Sequence, residues 1–245
     1  MGKYAILSDI HGNILALQAV VEDMQKRRVS RVVNLGDSIS GPLWPQETIC
    51  YLMSHNWMHI RGNNDRNVAS QDPGSMGLSD SYALARISDA QRTWLKHLPS
   101  VIMFDKDIIA FHGLPDDDSR YLLESVFHGR TRLSRWREIA RRLGNVSAEV
   151  LLCGHSHIPR CVRLGNGSLA VNPGSVGLQA YKDEGESHFV EMGSPHARYA
   201  IIEKNHDAWD IEFIDVAYDW EQAAVKAGME ERRDWEEALR SGYSS

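Results

Sequence analysis

Three cysteines in 245 residues, Cys50, Cys153 and Cys161, are too few and too scattered for a disulfide framework or a thiolate zinc site. They fit a reducing cytoplasm, which is the expected location. No apolar run approaches the roughly 20 residues that a membrane-spanning helix needs. The opening MGKYAILSDIHGN has only a short one before Asp9, so neither a signal peptide nor a membrane span is expected. Positive charge is also short: 27 Lys and Arg against 33 Asp and Glu give a net charge of −6. That balance disfavours a sequence-independent grip on nucleic-acid phosphates and leaves room only for a small local basic site. Internal repeats and low-complexity tracts are absent as well. What remains is an ordinary globular composition, 42% hydrophobic and 24% charged, long enough for one substantial core or two small ones.

Short apolar runs alternate with helical patterns through the first half. KYAILS, RVVNL, WMHI, DIIAF and EVLLC each read as a buried strand. Between the first two, Ile14, Leu17, Val20, Val21 and Met24 fall at helical spacing, with Asn13 as N-cap. Pro45 suits the opening of a second helix, and Ser88 with Gln91 resembles a capping box before Trp94, Leu95 and Leu98. After EVLLC the rhythm turns to strands and hairpins: RCVRL, SLAVN, RYAIIE and AWDIEFI, with Leu164-Gly165-Asn166-Gly167 as one of the turns. Helices close the chain near 219–227 and 230–241. No linker separates the halves, so residues 1–245 are expected to form one domain around two sheets, with a helical insertion near 114–145. The stretches 71–79 and 182–197, rich in Gly, Ser, Pro and charge, read as surface loops.

Each first-half strand ends in a polar signature. They are Asp9-Ile10-His11, Gly36-Asp37, Gly62-Asn63-Asn64-Asp65, His112-Gly113 and Gly154-His155-Ser156-His157. Loops leaving the carboxyl ends of strands in an α/β sheet converge, and ligand sites form there. Imidazoles, two carboxylates and an amide oxygen gathered at one place make a mixed nitrogen and oxygen site suited to divalent transition metals. Two cations about 3.5–4 Å apart need a shared anionic ligand to offset their repulsion, and Asp37, central in the series, is the bridging candidate. Residual positive charge on such a pair acidifies water and attracts phosphate. Taken singly, each signature has a bland explanation. Asp-x-His is common, Gly-Asp is a frequent turn, Asn63 and Asn64 can cap a helix, and His112 can be a bonded core histidine. Five in this order, all at strand ends, argue for a site.

On these motifs the sequence resembles the calcineurin-like metallophosphoesterases, whose pattern runs Asp-x-His, Gly-Asp, Gly-Asn-His-Asp/Glu, His and Gly-His-x-His. Ser8-Asp9-Ile10-His11-Gly12-Asn13, Gly41-Pro42, the run Asn172-Pro173-Gly174-Ser175-Val176-Gly177 and Tyr218-Asp219-Trp220-Glu221 look like the bacterial and archaeal phosphodiesterase-type branch. The resemblance implies an α/β fold built as a four-layer αββα sandwich, two mixed sheets flanked by helices, with a dinuclear metal centre. It implies Asp9, His11 and His157 on the first metal, Asn63, His112 and His155 on the second, and Asp37 bridging. Asp37, Asn63, His112 and His155 form its catalytic core, and a metal-activated hydroxide attacks phosphorus in line. The metals are two divalent ions, manganese foremost, with Fe, Zn, Co, Ni or Mg as alternatives. The expected substrate is a phosphate-ester small molecule or nucleotide, with no strong nucleic-acid binding and no membrane binding expected; an oligomer is compatible.

One position departs from the pattern. Many family members carry His where this chain has Asn64, and that His protonates the leaving oxygen or orients the phosphate. Asparagine donates a hydrogen bond but delivers no proton, and Asp65 loses its usual partner. Activated diesters are therefore expected over alkyl monoesters. The alternatives are a phosphomonoesterase, protein phosphatase or dinucleoside polyphosphate hydrolase on the same centre. A non-catalytic regulatory module, such as the related retromer subunit, is the reading from outside the enzymes. His188 and His196 read as surface histidines, with a replacement proton as their functional alternative. The arginines of GRTRLSRWREIARR (129–142) read as the solvated face of a helix that packs through Leu133, Trp136, Ile139, Ala140 and Leu143. Their functional alternative is an Arg lent to an anionic substrate.

Overall fold

The structure, a computed structural model, describes residues 2–183, 188–206 and 208–244. Two five-stranded mixed sheets pack face to face. The first runs β14-β13-β1-β2-β3, with β1 (Lys3–Leu7), β2 (Arg31–Asn34) and β3 (Met58–His59) parallel, β13 (Ala197–Asn205) antiparallel to β1, and the edge strand β14 (Ala208–Val216) antiparallel to β13. The second runs β4-β5-β8-β10-β9. In it β5 (Ile108–Phe111), β8 (Val150–Leu152) and β10 (Leu169–Asn172) are parallel, flanked by antiparallel β4 (Val101–Phe104) and β9 (Arg160–Arg163).

The continuous apolar runs follow from burial on both faces of each sheet. Along β1, Tyr4 and Ile6 point into the space between the sheets, while Ala5 and Leu7 point outward beneath a helix. The second sheet repeats the alternation: Ile108 and Ala110, Val150 and Leu152, Leu169 and Val171 face inward. Ile109, Phe111, Leu151 and Ala170 face out. On the outer face of the first sheet lies α1 (Ile14–Lys26), whose N-cap Asn13 accepts from the Ala16 N–H. Pro45 is the first residue of α2 (Pro45–Met53). A satellite core joins α2, α3 (Asn63–Ser70), α4 (Leu78–Leu84) and α5 (Asp89–His97), the last opened by the Ser88 and Gln91 capping box. Over the second sheet lies α6 (Trp136–Leu143), held by Ile139 and Leu143. The chain thus builds the four-layer sandwich that its motifs suggest.

A third, four-stranded sheet departs from expectation. It runs β11-β12-β7-β6, from β6 (Glu124–Phe127), β7 (Arg130–Leu133), β11 (Ala180–Asp183) and β12 (His188–Glu191). The 114–145 stretch is therefore not a helical insertion: a hairpin occupies its middle and only α6 is helical. Leu133 stands on a strand and Trp136 is exposed, so Ile139 and Leu143 alone of the expected stripe are core. Of the segment 182–197, expected as loop, residues 184–187 lie outside the described residues, while Lys182 and Asp183 end β11 and residues 188–191 form β12. Two helices, α7 (Trp220–Met229) and α8 (Arg233–Ser241), pack on Leu43, Leu178 and Ala180 through Ala223, Ala224, Ala227, Trp235 and Leu239.

The loop after β10 staples the two sheets together beside the end of β1. Val176 N–H donates to the Ser8 carbonyl (2.9 Å), Gly177 N–H to that of Asp9 (3.0 Å), and the Ser175 hydroxyl to the same Asp9 oxygen (2.8 Å). A Cβ on Gly177 would stand 1.8 Å from the Ile10 carbonyl oxygen. Backbone cannot yield as a side chain does. Gly177→Ala should therefore destabilise the fold by about 1–3 kcal/mol, the usual range for overpacking. Denaturant unfolding checks this, and an unshifted midpoint would show that the staple is loose.

Candidate metal centre

The loops that leave β1, β2, β5 and β8 meet the start of α3 at one end of the sandwich. The first two lie side by side: Asp9, His11 and Gly12 N–H groups donate to the carbonyls of Gly36, Asp37 and Ser38, each at 3.0 Å. Gly62 N–H caps into the Asp65 carboxylate (3.1 Å), and a Cβ at Gly62 would lie 2.2 Å from Asp37 Oδ1, so only glycine admits this approach. Asp9 (φ 56°), His11 (51°), Asp37 (53°), His155 (67°) and His157 (59°) all have left-handed backbone. Such conformations cost about 1–3 kcal/mol each in a residue with a side chain. Five of the seven candidate ligands share this feature, so the fold concentrates its backbone strain where the donor atoms converge.

The donor atoms fall into two groups, Asp9, His11 and His157 in one and Asp37, His112 and His155 in the other, each within 4.8 Å internally. Three imidazoles are anchored through Nδ1: His11 to the Ser40 carbonyl (2.8 Å), His112 to Leu35 (2.7 Å) and His157 to Leu178 (2.8 Å). A carbonyl only accepts, so each Nδ1 carries the proton and each Nε2 faces inward as a potential ligand. His11 Nε2 and His157 Nε2 stand 3.2 Å apart. His112 Nε2 lies 3.3 Å from Asp37 Oδ2, and His157 Nε2 lies 3.4 Å from Asp9 Oδ1. Asp9 Oδ1, His112 Nε2 and Asn63 Oδ1 are buried without a hydrogen-bond partner. Buried polar atoms are almost always paired. A converging set of carboxylate and amide oxygens and imidazole Nε2 atoms is what a divalent cation fits once the imidazoles are neutral, and the nitrogen and oxygen mixture suits Mn²⁺, Fe²⁺ or Zn²⁺.

The electrostatics agree. Burial alone would raise the Asp9 and Asp37 carboxyls, but the imidazoles of His157 and His112 respectively outweigh it and hold both below the usual range. Burial likewise works against a charged His112, yet Asp37 and Asp9 hold its proton up to about 10. His155 goes the other way, to about 4, through burial and the neighbouring His112. The surplus negative charge of the carboxylates binds a proton tightly here, and a cation meets the same demand.

Asn63 and Asn64 open α3 and line the same cavity of about 780 Å³ as His11, Asp37, His155 and His157. Asn63 Oδ1 is the unpartnered oxygen, whereas the Asn64 backbone N–H donates to Asp37 Oδ1 (2.9 Å). Asp65 accepts from the Ser38 and Gly62 N–H groups at 2.9 and 3.1 Å. Burial and the Asp37 charge push its carboxyl up to about 7. Asp65 thus braces two loops.

Some residues stand elsewhere than expected. His188 is 1% exposed, not on the surface, with Nε2 2.8 Å from the Tyr121 hydroxyl; His196 binds Ser194 Oγ beside Trp220. Neither is among the described residues lining the metal cavity, nor are the six arginines of 129–142. Arg142 is spent on the carbonyls of Leu122 and Glu124. Cys153 is buried, which pushes its thiol up and leaves it unreactive. Sequence reasoning missed Tyr121, whose ring lies 4.9 Å from that of His155, and Tyr181, 4.6 Å from His157. Trp235 of α8, edge-on to His11 at 5.8 Å, and the rim residue Arg232 were missed too. Aromatic and charged positions on a C-terminal helix carry no local sign of contact with the first loop.

Known proteins share the fold. Residues 3–194 match the family model described as the calcineurin-like phosphoesterase superfamily domain. An uncharacterized protein of Methanocaldococcus jannaschii is 25% identical over 255 residues, covering 94% of each chain. Among solved structures, a metallophosphoesterase from Sphaerobacter thermophilus aligns with a TM-score of 0.74 at 21% identity, over 97% of this chain and 99% of that one. A hypothetical protein from Pyrococcus horikoshii OT3 reaches 0.76 at 20% identity over 100% of both chains. The likeness of the solved structures extends over the whole sandwich, the family model spans every loop that supplies a donor, and the chain belongs to the calcineurin-like phosphoesterase superfamily.

Proposed function

We propose that this chain hydrolyses phosphodiesters at a centre of two divalent cations. Asp9, His11 and His157 would hold one, Asn63, His112 and His155 the other, with Asp37 the candidate to serve both. The observation that carries this reading is the pair of donor groups, buried except for the half-buried His155, that open into one cavity of about 780 Å³. When bound, two cations of the Mn²⁺ kind supply Lewis acidity, easing formation of hydroxide from water and drawing charge from the phosphoryl oxygens.

The chain's own groups do the rest. Nδ1 anchoring to carbonyls fixes the His11, His112 and His157 rings before any ligand arrives, so little reorganisation is left for the reaction. Arg232 stands on the cavity rim, held by Asp234 at 2.9 and 2.6 Å and by Ser79 Oγ at 3.0 Å. Those bonds use three of its five N–H donors. The remaining two suit a phosphate oxygen.

Asn64 supports the choice of diester. It lines the cavity at the position where the family pattern carries a histidine, and an amide cannot deliver a proton. Leaving groups that depart as stable anions are therefore favoured. The same reasoning makes dinucleoside polyphosphates, with their pyrophosphate-type leaving groups, the second reading.

The direct test is hydrolysis of a nitrophenyl diester and its matching monoester by Mn²⁺-reconstituted protein, with a chelated control. Metal-dependent turnover favouring the diester is expected; preference for the monoester overturns the diesterase assignment. Bound metal without turnover of either would point instead to a regulatory module. Asp37→Asn should abolish turnover and weaken both cations, and metal analysis of that variant checks the bridging role: full metal content with retained turnover would sink it. Asn64→His should raise turnover of poor leaving groups relative to good ones, by on the order of 10² where general acid catalysis is restored. A plot of rate against leaving-group pKa with an unchanged slope would refute the account of Asn64.

A further inference from the structure

We infer that Asp80, on α4, is the positioning residue that sets the candidate metal centre from outside it, an inference that rests on the two-cation reading. Asp80 is 5% exposed. Its carboxylate takes three neutral donors: the Ser40 hydroxyl (2.6 Å) and Asn64 Nδ2 (3.1 Å) on Oδ1, and Asn67 Nδ2 (3.1 Å) on Oδ2. A buried carboxylate persists only when such donors are well aligned, and it aligns them in return.

Two of those donors lead to the centre by separate routes. Ser40 gives its hydroxyl to Asp80 while its carbonyl accepts the His11 Nδ1 proton (2.8 Å), so Asp80 fixes the residue that orients the His11 ring. Asn64 gives its amide to Asp80, which settles which end of the carboxamide faces which way. Its Oδ1 then faces Asn63 Nδ2 at 3.4 Å, leaving Asn63 Oδ1 as the inward oxygen, and its backbone N–H holds Asp37 Oδ1 at 2.9 Å. One carboxylate thereby governs a donor of the first group, His11, and two of the second side, Asn63 and Asp37. All three groups on Asp80 donate, so an acceptor-only side chain is required. An asparagine there would turn an NH₂ against at least one of them. Asn64 then has a positive role: it transmits the orientation set by Asp80 to its neighbour.

The test measures metal affinity and geometry rather than turnover. Mn²⁺ and Co²⁺ are titrated calorimetrically into wild type, Asp80→Asn, Asn64→Ala and the double variant. Co²⁺ absorption reports the ligand field, and circular dichroism with thermal unfolding reports the fold. Loss of a positioning partner should weaken cation binding by about 10–100-fold in Asp80→Asn and shift the Co²⁺ spectrum. The double variant should lose less than the product of the single losses, because both remove one link. Should Asp80→Asn fail to fold, Asn64→Ala, which leaves Asp80 with Ser40 and Asn67, carries the test alone, with the same direction expected. A folded variant whose stability falls while affinity and spectrum stay at wild-type values makes Asp80 a packing brace and overturns the inference, leaving the two-cation reading intact. A wild-type protein that binds neither cation overturns both.

Discussion

Two carboxylates, Asp9 and Asp37, lie 0% and 2% exposed at the end of an apolar sandwich, and the balance of their charge is the constraint to which the surroundings answer. Buried charge is tolerated only when paired and hydrogen-bonded. Here no Lys or Arg pairs with either carboxylate among the described ion pairs; imidazoles approach both, and the backbone N–H groups of His155 and Asn64 donate to Asp9 and Asp37 respectively. Those imidazoles compensate only while they carry a second proton, and a cation bound at Nε2 takes that proton's place, because Nδ1 is already committed to a backbone carbonyl. The site is therefore organised for positive charge arriving as cations. The left-handed residues follow from this demand: short loops must turn their donors inward within a few residues of a strand end, and extended or helical backbone does not allow it.

Holding that arrangement takes the whole chain. The first-sheet loops brace one another by backbone bonds, and Asp65 ties the Gly62 turn to Ser38. Arg66, next on α3, is held by both oxygens of Asp118 at 2.8 Å, which fastens that helix to the loop after β5. From the far end, the indole of Trp235 fills the space that Gly41 leaves: a Cβ at that glycine would stand 2.5 Å from the ring. The C-terminal helices are thereby seated against the loops around His11, which is why Arg232 reaches the rim. Strain at the donors is sustained by packing gathered from distant parts of the sequence.

What could be read in advance, and what could not, divides along the same line. Buried strands such as KYAILS and DIIAF were legible because both faces are covered and the apolar run is unbroken. The helix opening after Asn13 and the Ser88 capping box were legible because their signals are local. Every candidate donor stood in a motif directly after a strand. The third sheet was not legible: β6 and β7 expose Phe127, Arg130 and Leu133, so neither a clean alternation nor an apolar run marks them, and β12 pairs with β7 across a long stretch of sequence. The arginine-rich stretch misled for a related reason, since helical spacing extended backward through Leu133 although a strand ends there. Asp80 had no signal at all. It sits in LSDSYAL, after a polar loop, and acquires meaning only through contacts with Ser40, Asn64 and Asn67 that the fold creates.

The adjacent asparagines show how two identical side chains can be given different work by their hydrogen bonds alone. Asn63 keeps a buried carbonyl oxygen free of donors and turns its amide toward its neighbour; Asn64 spends its amide on a carboxylate and its backbone N–H on Asp37. A free histidine at the second position would be a mobile acid and base. An amide clamped between Asp80 and Asn63 is neither, but it is a rigid strut. On the proposed reading, proton delivery gives way to ligand orientation within a single helix turn. A phosphoesterase working as proposed would depend more on bound metal and on the leaving group's own acidity than on a side chain that donates a proton. Leaving-group preference and metal affinity are then two readouts of one structural choice, made at Asn64 and enforced from Asp80.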